Sequence, residues 1–231
     1  MKKMLLALSF VSFSVLAAVD ADQLLKKADD IRNPGESFQM KVTVHSSGEA
    51  EDSEFEVYLK GKDKTLVKTL LPRRDRGRNM LMLEENMWVF IPNLKREVRV
   101  SLAQKLTGQT ANGDISRMRW HGDYDAQLVK EDDKFYELSL SAKKKGLTYD
   151  KLRLWVNKKN NQPVKANYLT VTGKKLKEAV FGEYKEIAGG TRPTKILIKD
   201  AINPKDTSLL TITEMMTKDL PDSLFVRENL Q

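Results

Sequence analysis

The chain has 231 residues, and its 40 Lys and Arg outnumber 32 Asp and Glu to give a formal net charge of +8. Hydrophobic residues make up 40% of it, with 12 Gly and 7 Pro, which excludes a fibrous or disordered protein and predicts a globular one with a sizeable core. Cys is absent and His occurs only at positions 45 and 121. Disulfides, thiolate catalysis and Cys-ligated metals are therefore excluded, and we expect no metal site and no cofactor.

The first residues follow the order of a secretory signal. Lys2 and Lys3 precede an apolar run over 4–16, and the small residues Ala17 and Ala18 follow. The run is shorter than the about 20 residues that a membrane-spanning helix needs. We predict a signal peptide over 1–18, with cleavage possible at 17–21, and a soluble product in the periplasm of a Gram-negative envelope. For a basic exported protein we expect no nucleic-acid partner, whereas peripheral contact with an anionic membrane fits its charge.

A short helix is predicted next, and strands follow it. Apolar residues at helical spacing run from Leu24 to Ile31, with Asp20 or Asp22 as the cap, and 33–35 reads Asn-Pro-Gly, which ends the helix. Over 38–45 and 54–60 the apolar residues alternate with polar ones, which predicts two strands with one wet face each. The Ser-Ser-Gly segment at 46–48 joins them as a hairpin, and another strand is expected around 64–71.

The segments 79–83 and 87–91 carry apolar residues at both even and odd positions, which is typical of strands covered on both faces. Met80, Met82, Trp88 and Phe90 have the same parity, and we expect them to form one continuous wall. Further strands are predicted at 95–100, 126–131, 134–142, 147–157, 163–172, 176–186, 192–200 and 207–216. Short helices are predicted at 101–106 and 114–120, and one more helical turn within 219–231.

About ten strands joined mostly by hairpins form an antiparallel sheet too large to stay flat. With few helices, the economical solution is a mainly β (α+β) fold, a strongly curved antiparallel sheet forming an unclosed half-barrel with short helices covering its concave face. We predict a single domain over 19–231. Such a half-barrel offers an apolar cavity.

Two sets of residues are candidates for binding. The apolar set is expected to line the cavity, although each member also suits a packed core: Met40, Val42, Val57, Met80, Met82, Trp88, Phe90 and Met215. The basic set is expected to contact an anionic surface or an acidic partner, although charged hairpins are often only solvated: Arg73, Arg74, Arg76, Arg78, Lys95 and Arg96. No nucleophile elbow, phosphate loop, dinucleotide fingerprint or His-Glu-x-x-His motif occurs, so we expect no catalytic residues and no enzyme activity.

The stretch from Asn86 to Asp114 is the most distinctive. It contains a tryptophan strand ending at Pro92, the pair Lys95 and Arg96, a basic strand, and a loop rich in Gly, Asn and Asp that ends at Asp114. In these features the chain resembles the outer-membrane lipoprotein-sorting protein family, relatives of the periplasmic lipoprotein carrier LolA. The ending over 222–230 is similar too, whereas Ile115 stands where many members carry an aromatic residue.

The resemblance implies an unclosed antiparallel barrel with helices as a lid, and a periplasmic role in binding lipid or acylated protein. The sequence therefore predicts a monomeric soluble carrier of an apolar ligand, for transfer toward the outer membrane or an envelope transporter. The alternative is a non-catalytic accessory protein of an envelope transporter with no lipid ligand.

Overall fold

The computed structural model describes residues 19–230, so the predicted signal peptide over 1–18 lies outside it. Thirteen strands of this part form one antiparallel sheet: β1 (Ser37–Ser46), β2 (Ser53–Lys60), β3 (Lys64–Leu71), β4 (Met80–Leu83), β5 (Asn86–Ile91), β6 (Arg96–Val100), β9 (Tyr124–Glu131), β10 (Phe135–Ala142), β11 (Lys151–Asn157), β12 (Pro163–Leu169), β13 (Lys175–Ile187), β14 (Gly190–Asp200) and β15 (Thr207–Thr217). A separate two-stranded ribbon and two helices complete it: β7 (Lys105–Thr107), β8 (Thr110–Ala111), α1 (Ala21–Arg32) and α2 (Asn112–Ser116). No helix in this range is long and apolar enough to cross a membrane.

The sheet is curved but not closed. Its order is β6-β5-β4-β3-β2-β1-β15-β14-β13-β12-β11-β10-β9, so β6 and β9 are the two edges, and the segment 101–123 connects them. The two halves of the sheet approach each other near these edges: Lys144, after β10, donates a hydrogen bond to Glu85 in the turn between β4 and β5. Arg117, in the connecting segment, donates to the Glu84 carbonyl at 2.7 Å. The predicted unclosed half-barrel is confirmed.

Period-two alternation places one face of the strands in the main core. On β1, Phe38, Met40, Val42 and Val44 are at most 2% exposed. Helix α1 packs against the same core through one apolar stripe, on the concave side of the sheet. Of the two predicted caps, Asp20 and Asp22, the structure selects Asp20, whose carboxylate accepts hydrogen bonds from the backbone N–H groups of residues 22 and 23.

The second apolar face of β4 and β5 is covered by the last residues of the chain. We call 219–230 the C-terminal strap. Its buried residues Leu220, Phe225 and Leu230 share a cluster with Leu66 and Leu81 on the face of the sheet turned away from the main core. The prediction that 79–83 and 87–91 are covered on both faces is therefore correct. The strap contains two short 3₁₀ turns, at 222–224 and 227–230, as expected for a helical turn there.

The predicted helix over 101–106 is wrong. Residues 101–104 form a single turn, and β7 begins at Lys105. Two properties of the sequence explain the difference: Gly108 adopts a φ of +51°, which reverses the chain, and the β-branched residues Thr107 and Thr110 pair across that turn. The second predicted helix forms, but over 112–116 instead of 114–120.

Candidate functional site

A cavity of about 340 Å³ opens at one end of the half-barrel, between the strands β2 to β6 and the loop 104–112. This volume lies at the lower end of the range of roughly 300–1,000 Å³ that is usual for ligand sites. Its floor is apolar, formed by Phe55, Met80, Val89, Val100 and Leu106. Its rim is charged, formed by Glu49, Glu51, Arg74, Asp75, Arg78 and Lys105.

Strand register builds the floor. Met80 on β4 lies opposite Val89 on β5, and directly paired residues of antiparallel strands point to the same face. Val100 follows on the edge strand β6, where the floor ends, and Leu106 on β7 closes the opposite side. The cavity is therefore built jointly by the sheet and by the segment that connects its edges.

Of the eight apolar residues that the sequence singles out, only Met80 borders this cavity. Five others lie in the packed core with exposed fractions of 7% or less, and they do not border it: Met40, Val42, Val57, Met82 and Met215. Their identification as ligand contacts stays a prediction, and it requires the core to open.

The expectation that Met80, Met82, Trp88 and Phe90 form one wall is wrong. A two-residue turn at 84–85 sets Met82 opposite Met87 and Leu81 opposite Trp88. Trp88 and Phe90 therefore lie on the outer face, beside the C-terminal strap. The parity of a residue number carries from one strand to the next only if the register is known.

The predicted basic set is divided between two places. Arg74 and Arg78 border the cavity, whereas Lys95 and Arg96 border an open groove of about 420 Å³ on the outer face, together with Phe90 and Arg227. Arg73 and Arg76 border neither of these two sites. Arg74 lies 3.4 Å from a Glu51 oxygen and 3.7 Å from an Asp75 oxygen, so part of its charge is neutralised.

The loop that closes one side of the cavity is held by two close approaches. A Cβ on Gly108 would stand 2.0 Å from Ser46 Oγ, and a Cβ on Gly113 would stand 1.8 Å from Thr148 Oγ1. Asp114, which follows Gly113, accepts hydrogen bonds from the Ala111 N–H at 2.8 Å and the Tyr149 hydroxyl at 2.9 Å. Burial raises the pKa of Asp114 above its ordinary value, and nearby Lys177 partly offsets this.

A buried charged cluster fixes α1 to the connecting segment. The carboxylate of Asp29 accepts hydrogen bonds at 2.6 Å from the backbone N–H groups of Trp120 and His121, and it pairs with Arg32 at 3.3 Å. The Arg32 guanidinium lies 3.7 Å from the centre of the Trp120 ring. Local sequence does not indicate this cluster, because Asp29 and Arg32 are about 90 positions away from Trp120 and His121.

Residues 19–230 contain no group of three or more His, Asp or Glu side chains arranged to hold a metal ion. Uncharged polar residues also line the cavity, namely Ser53, Thr69, Gln104, Thr107 and Asn112. The cavity therefore offers a ligand an apolar surface beside charged groups.

These features define a class of protein: an unclosed antiparallel half-barrel with short helices on its concave side and an apolar cavity at its mouth. A LolA superfamily protein from Nitrosomonas europaea has this fold, with a TM-score of 0.85 and 38% identity over 91% of this chain and 99% of that one. A putative outer membrane lipoprotein-sorting protein domain from Vibrio parahaemolyticus matches at 0.76 and 19% identity, over 91% and 97% of the two chains. A DUF1329 family protein from Desulfovibrio piger matches at 0.76 and 21% identity, with the same coverage.

A family model described only as "Uncharacterized protein" matches residues 61–231. A comparison with curated proteins finds no match. The chain belongs to the LolA superfamily.

Proposed function

We propose that this protein is a non-catalytic carrier that binds the apolar part of a lipid, or the acyl chains of a lipoprotein, in the cavity above Met80 and Leu106. The observation that carries the proposal is a solvent-open cavity with an apolar floor in a fold whose remaining concave face is closely packed. The signal-like sequence at 1–18 supports a periplasmic location. The likeness in fold to a putative lipoprotein-sorting domain supports transfer toward the outer membrane or an envelope transporter.

The energetic reason is the apolar part of the surface that the cavity exposes to water, which is smaller than the polar part. Covering such surface with a hydrocarbon chain is favourable by roughly 25 cal/mol per Å². Met40, Val57 and Met82 are at most 2% exposed and, unlike the similarly buried floor residues, do not border the cavity, so their part of the concave face offers a chain no room without core rearrangement. Binding is therefore expected at the cavity and not along the whole concave face.

Filling the cavity tests the proposal. Val100 and Val98 lie two residues apart on β6, both half-buried against the main core, but only Val100 borders the cavity. We expect Val100→Trp to weaken binding of a fluorescent fatty acyl probe by about tenfold or more, equivalent to 1.4 kcal/mol. Val98→Trp is the matched control and should change the affinity less than about twofold, a difference near 0.4 kcal/mol. Thermal unfolding of both variants verifies that each is folded.

Mass spectrometry of an organic extract of the purified protein is the second measurement, and it should detect co-purified lipid. If the extract contains no lipid and the parent protein does not bind the probe, the carrier proposal is wrong. The accessory role at an envelope transporter, without a lipid ligand, would then replace it.

A further inference from the structure

The four arginines of the loop after Pro72 are not equivalent. Arg74 and Arg78 border the cavity, whereas Arg73 and Arg76 do not. The Arg76 side chain turns back toward β3, where its Nε donates to the Leu70 carbonyl at 3.3 Å. The loop therefore presents two cations to the cavity and two elsewhere.

A third cation, Lys105, reaches the rim from the opposite wall. The rim also carries three acids, and Arg74 lies close to two of them, Glu51 and Asp75. Within residues 19–230, neither Arg78 nor Lys105 forms an ion pair. The rim as a whole therefore balances three cations against three acids, and Arg78 and Lys105 are the two of these cations that pair with no acid of the described residues.

Both cations border the same cavity as the apolar floor and are close to floor residues in sequence. Arg78 precedes the floor residue Met80 by two positions, and Lys105 directly precedes the floor residue Leu106. A chain lying on the floor would bring its polar end to these side chains. A guanidinium matches phosphate or carboxylate through paired hydrogen bonds, and an ammonium adds a compact positive charge.

We propose that the ligand is an amphiphile with an anionic headgroup, phosphate or carboxylate, bound by Arg78 and Lys105, and with its hydrocarbon chain on the cavity floor. The inference rests on the proposed carrier function and specifies the chemistry of its ligand. The modest volume of the cavity suits a ligand with a single chain.

The test compares headgroups on one chain. Dodecyl phosphate, dodecanoate, dodecanol and dodecyltrimethylammonium are titrated, each below its micelle concentration, against the protein loaded with a neutral pyrenyl alcohol probe. In this displacement assay the two anions should have at least about tenfold higher affinity than dodecanol, since hydrogen bonds to charged groups are the stronger kind. The cationic amphiphile should bind no better than dodecanol, and inorganic phosphate alone should not displace the probe.

Paired variants locate the effect. In Arg78→Gln/Lys105→Gln, the preference for anions should fall to within about twofold while dodecanol affinity is retained. The control variant Arg73→Gln/Arg76→Gln also removes two positive charges, both from the loop that contains Arg78. It should keep the preference for anions. Raising the salt concentration should reduce the preference in the parent.

The results separate this inference from the function on which it rests. Equal affinity of the parent for dodecyl phosphate and dodecanol overturns the headgroup assignment and leaves the carrier function in place. An equal loss in the Arg73/Arg76 variant also overturns it, because a general positive field would then explain the preference. If inorganic phosphate displaces the probe, the site is a general anion site and the amphiphile assignment is wrong. If the protein binds none of the amphiphiles, both proposals are overturned.

Discussion

At the scale of single residues, a glycine without a side chain allows the loop beside the cavity to pack closely against its neighbour. Gly113 has an ordinary backbone φ, so it is required only because of the space beside Thr148. We predict that Gly113→Ala destabilises the protein by about 1–3 kcal/mol, the usual cost of inserting a methyl group into a tightly packed site. Urea unfolding measures the change.

Two variants make this prediction specific. Gly182 also has an ordinary φ, and a Cβ there would meet nothing within 4 Å, so Gly182→Ala should have little effect. Adding Thr148→Ala to Gly113→Ala removes the clashing hydroxyl and should recover part of the lost stability. A Gly113→Ala protein as stable as the parent would show that the loop shifts freely, contrary to the close approach.

At the scale of elements, the C-terminal strap covers strands that would otherwise expose an apolar outer face. Phe225 is 3% exposed and belongs to the outer cluster, whereas its neighbour Val226 is 37% exposed. Phe225→Ala should lower the free energy of unfolding by about 3–5 kcal/mol, as for other buried Phe→Ala changes. Val226→Ala should change it by less than about 0.5 kcal/mol. Similar losses in both variants would contradict the assigned packing.

The strap also has an ionic attachment that depends on pH. Asp222 accepts a hydrogen bond from Lys64 at 2.8 Å and lies 3.3 Å from Lys60 Nζ, and these contacts lower its pKa below the ordinary value of 3.8. A carboxyl whose pKa is lowered by folding contributes stability above its unfolded pKa and loses it as pH falls through the folded value. The attachment should therefore be intact at neutral pH and weaken only below about pH 4.

Hydrogen exchange of strap amides between pH 5 and pH 2.5, corrected for the intrinsic rate, measures this weakening. Asp222→Asn should remove most of the pH dependence, because the carboxyl that titrates is gone. The effect on global stability should be small, since all three side chains are substantially exposed. An unchanged pH dependence in Asp222→Asn would assign the weakening to other groups.

At the scale of the whole molecule, the basic loops gather at one end of the half-barrel, beside the cavity. The loops 72–79 and 92–95 are adjacent, since a Cβ on Gly77 would stand 3.5 Å from the Pro92 ring. Leu71 and Leu94 are 36% and 55% exposed at this end. An anionic membrane would meet basic and apolar side chains together here, with each basic residue contributing on the order of 1 kcal/mol.

We predict that changing Arg73, Arg74, Arg76 and Arg78 to Gln reduces co-sedimentation with anionic vesicles at low salt and leaves the thermal midpoint nearly unaltered. Surface charges contribute little to stability but add up in binding to a charged surface. The control changes four exposed lysines outside these loops to Gln: Lys130, Lys159, Lys174 and Lys205. Equal reduction in both variants would indicate that net charge, not this end of the molecule, determines association.

The class of fold could be derived from local patterns. Alternation over 38–45 predicts a strand with one buried face, and Asp20 before an apolar helical stripe predicts where α1 begins, because both features depend on neighbours in sequence. Double coverage of 79–83 and 87–91 could be predicted as well, since uniformly apolar strands cannot face water. The structure of the segment 101–106 could not be predicted in this way, because a glycine turn and two threonines override its weak helical pattern.

The location of the binding site depended on contacts that local patterns do not encode. Met80 and Met82 are the same residue type and point to the same face of β4, yet only Met80, at the beginning of the strand, borders the cavity beside the loop 104–112. Strand register sets Trp88 on the outer face beside the strap, and Arg78 and Lys105 border one cavity only because the segment joining the two edges folds back over the sheet. The sequence by itself thus determined the half-barrel and its basic loops, and the tertiary structure decided which of these residues share a cavity.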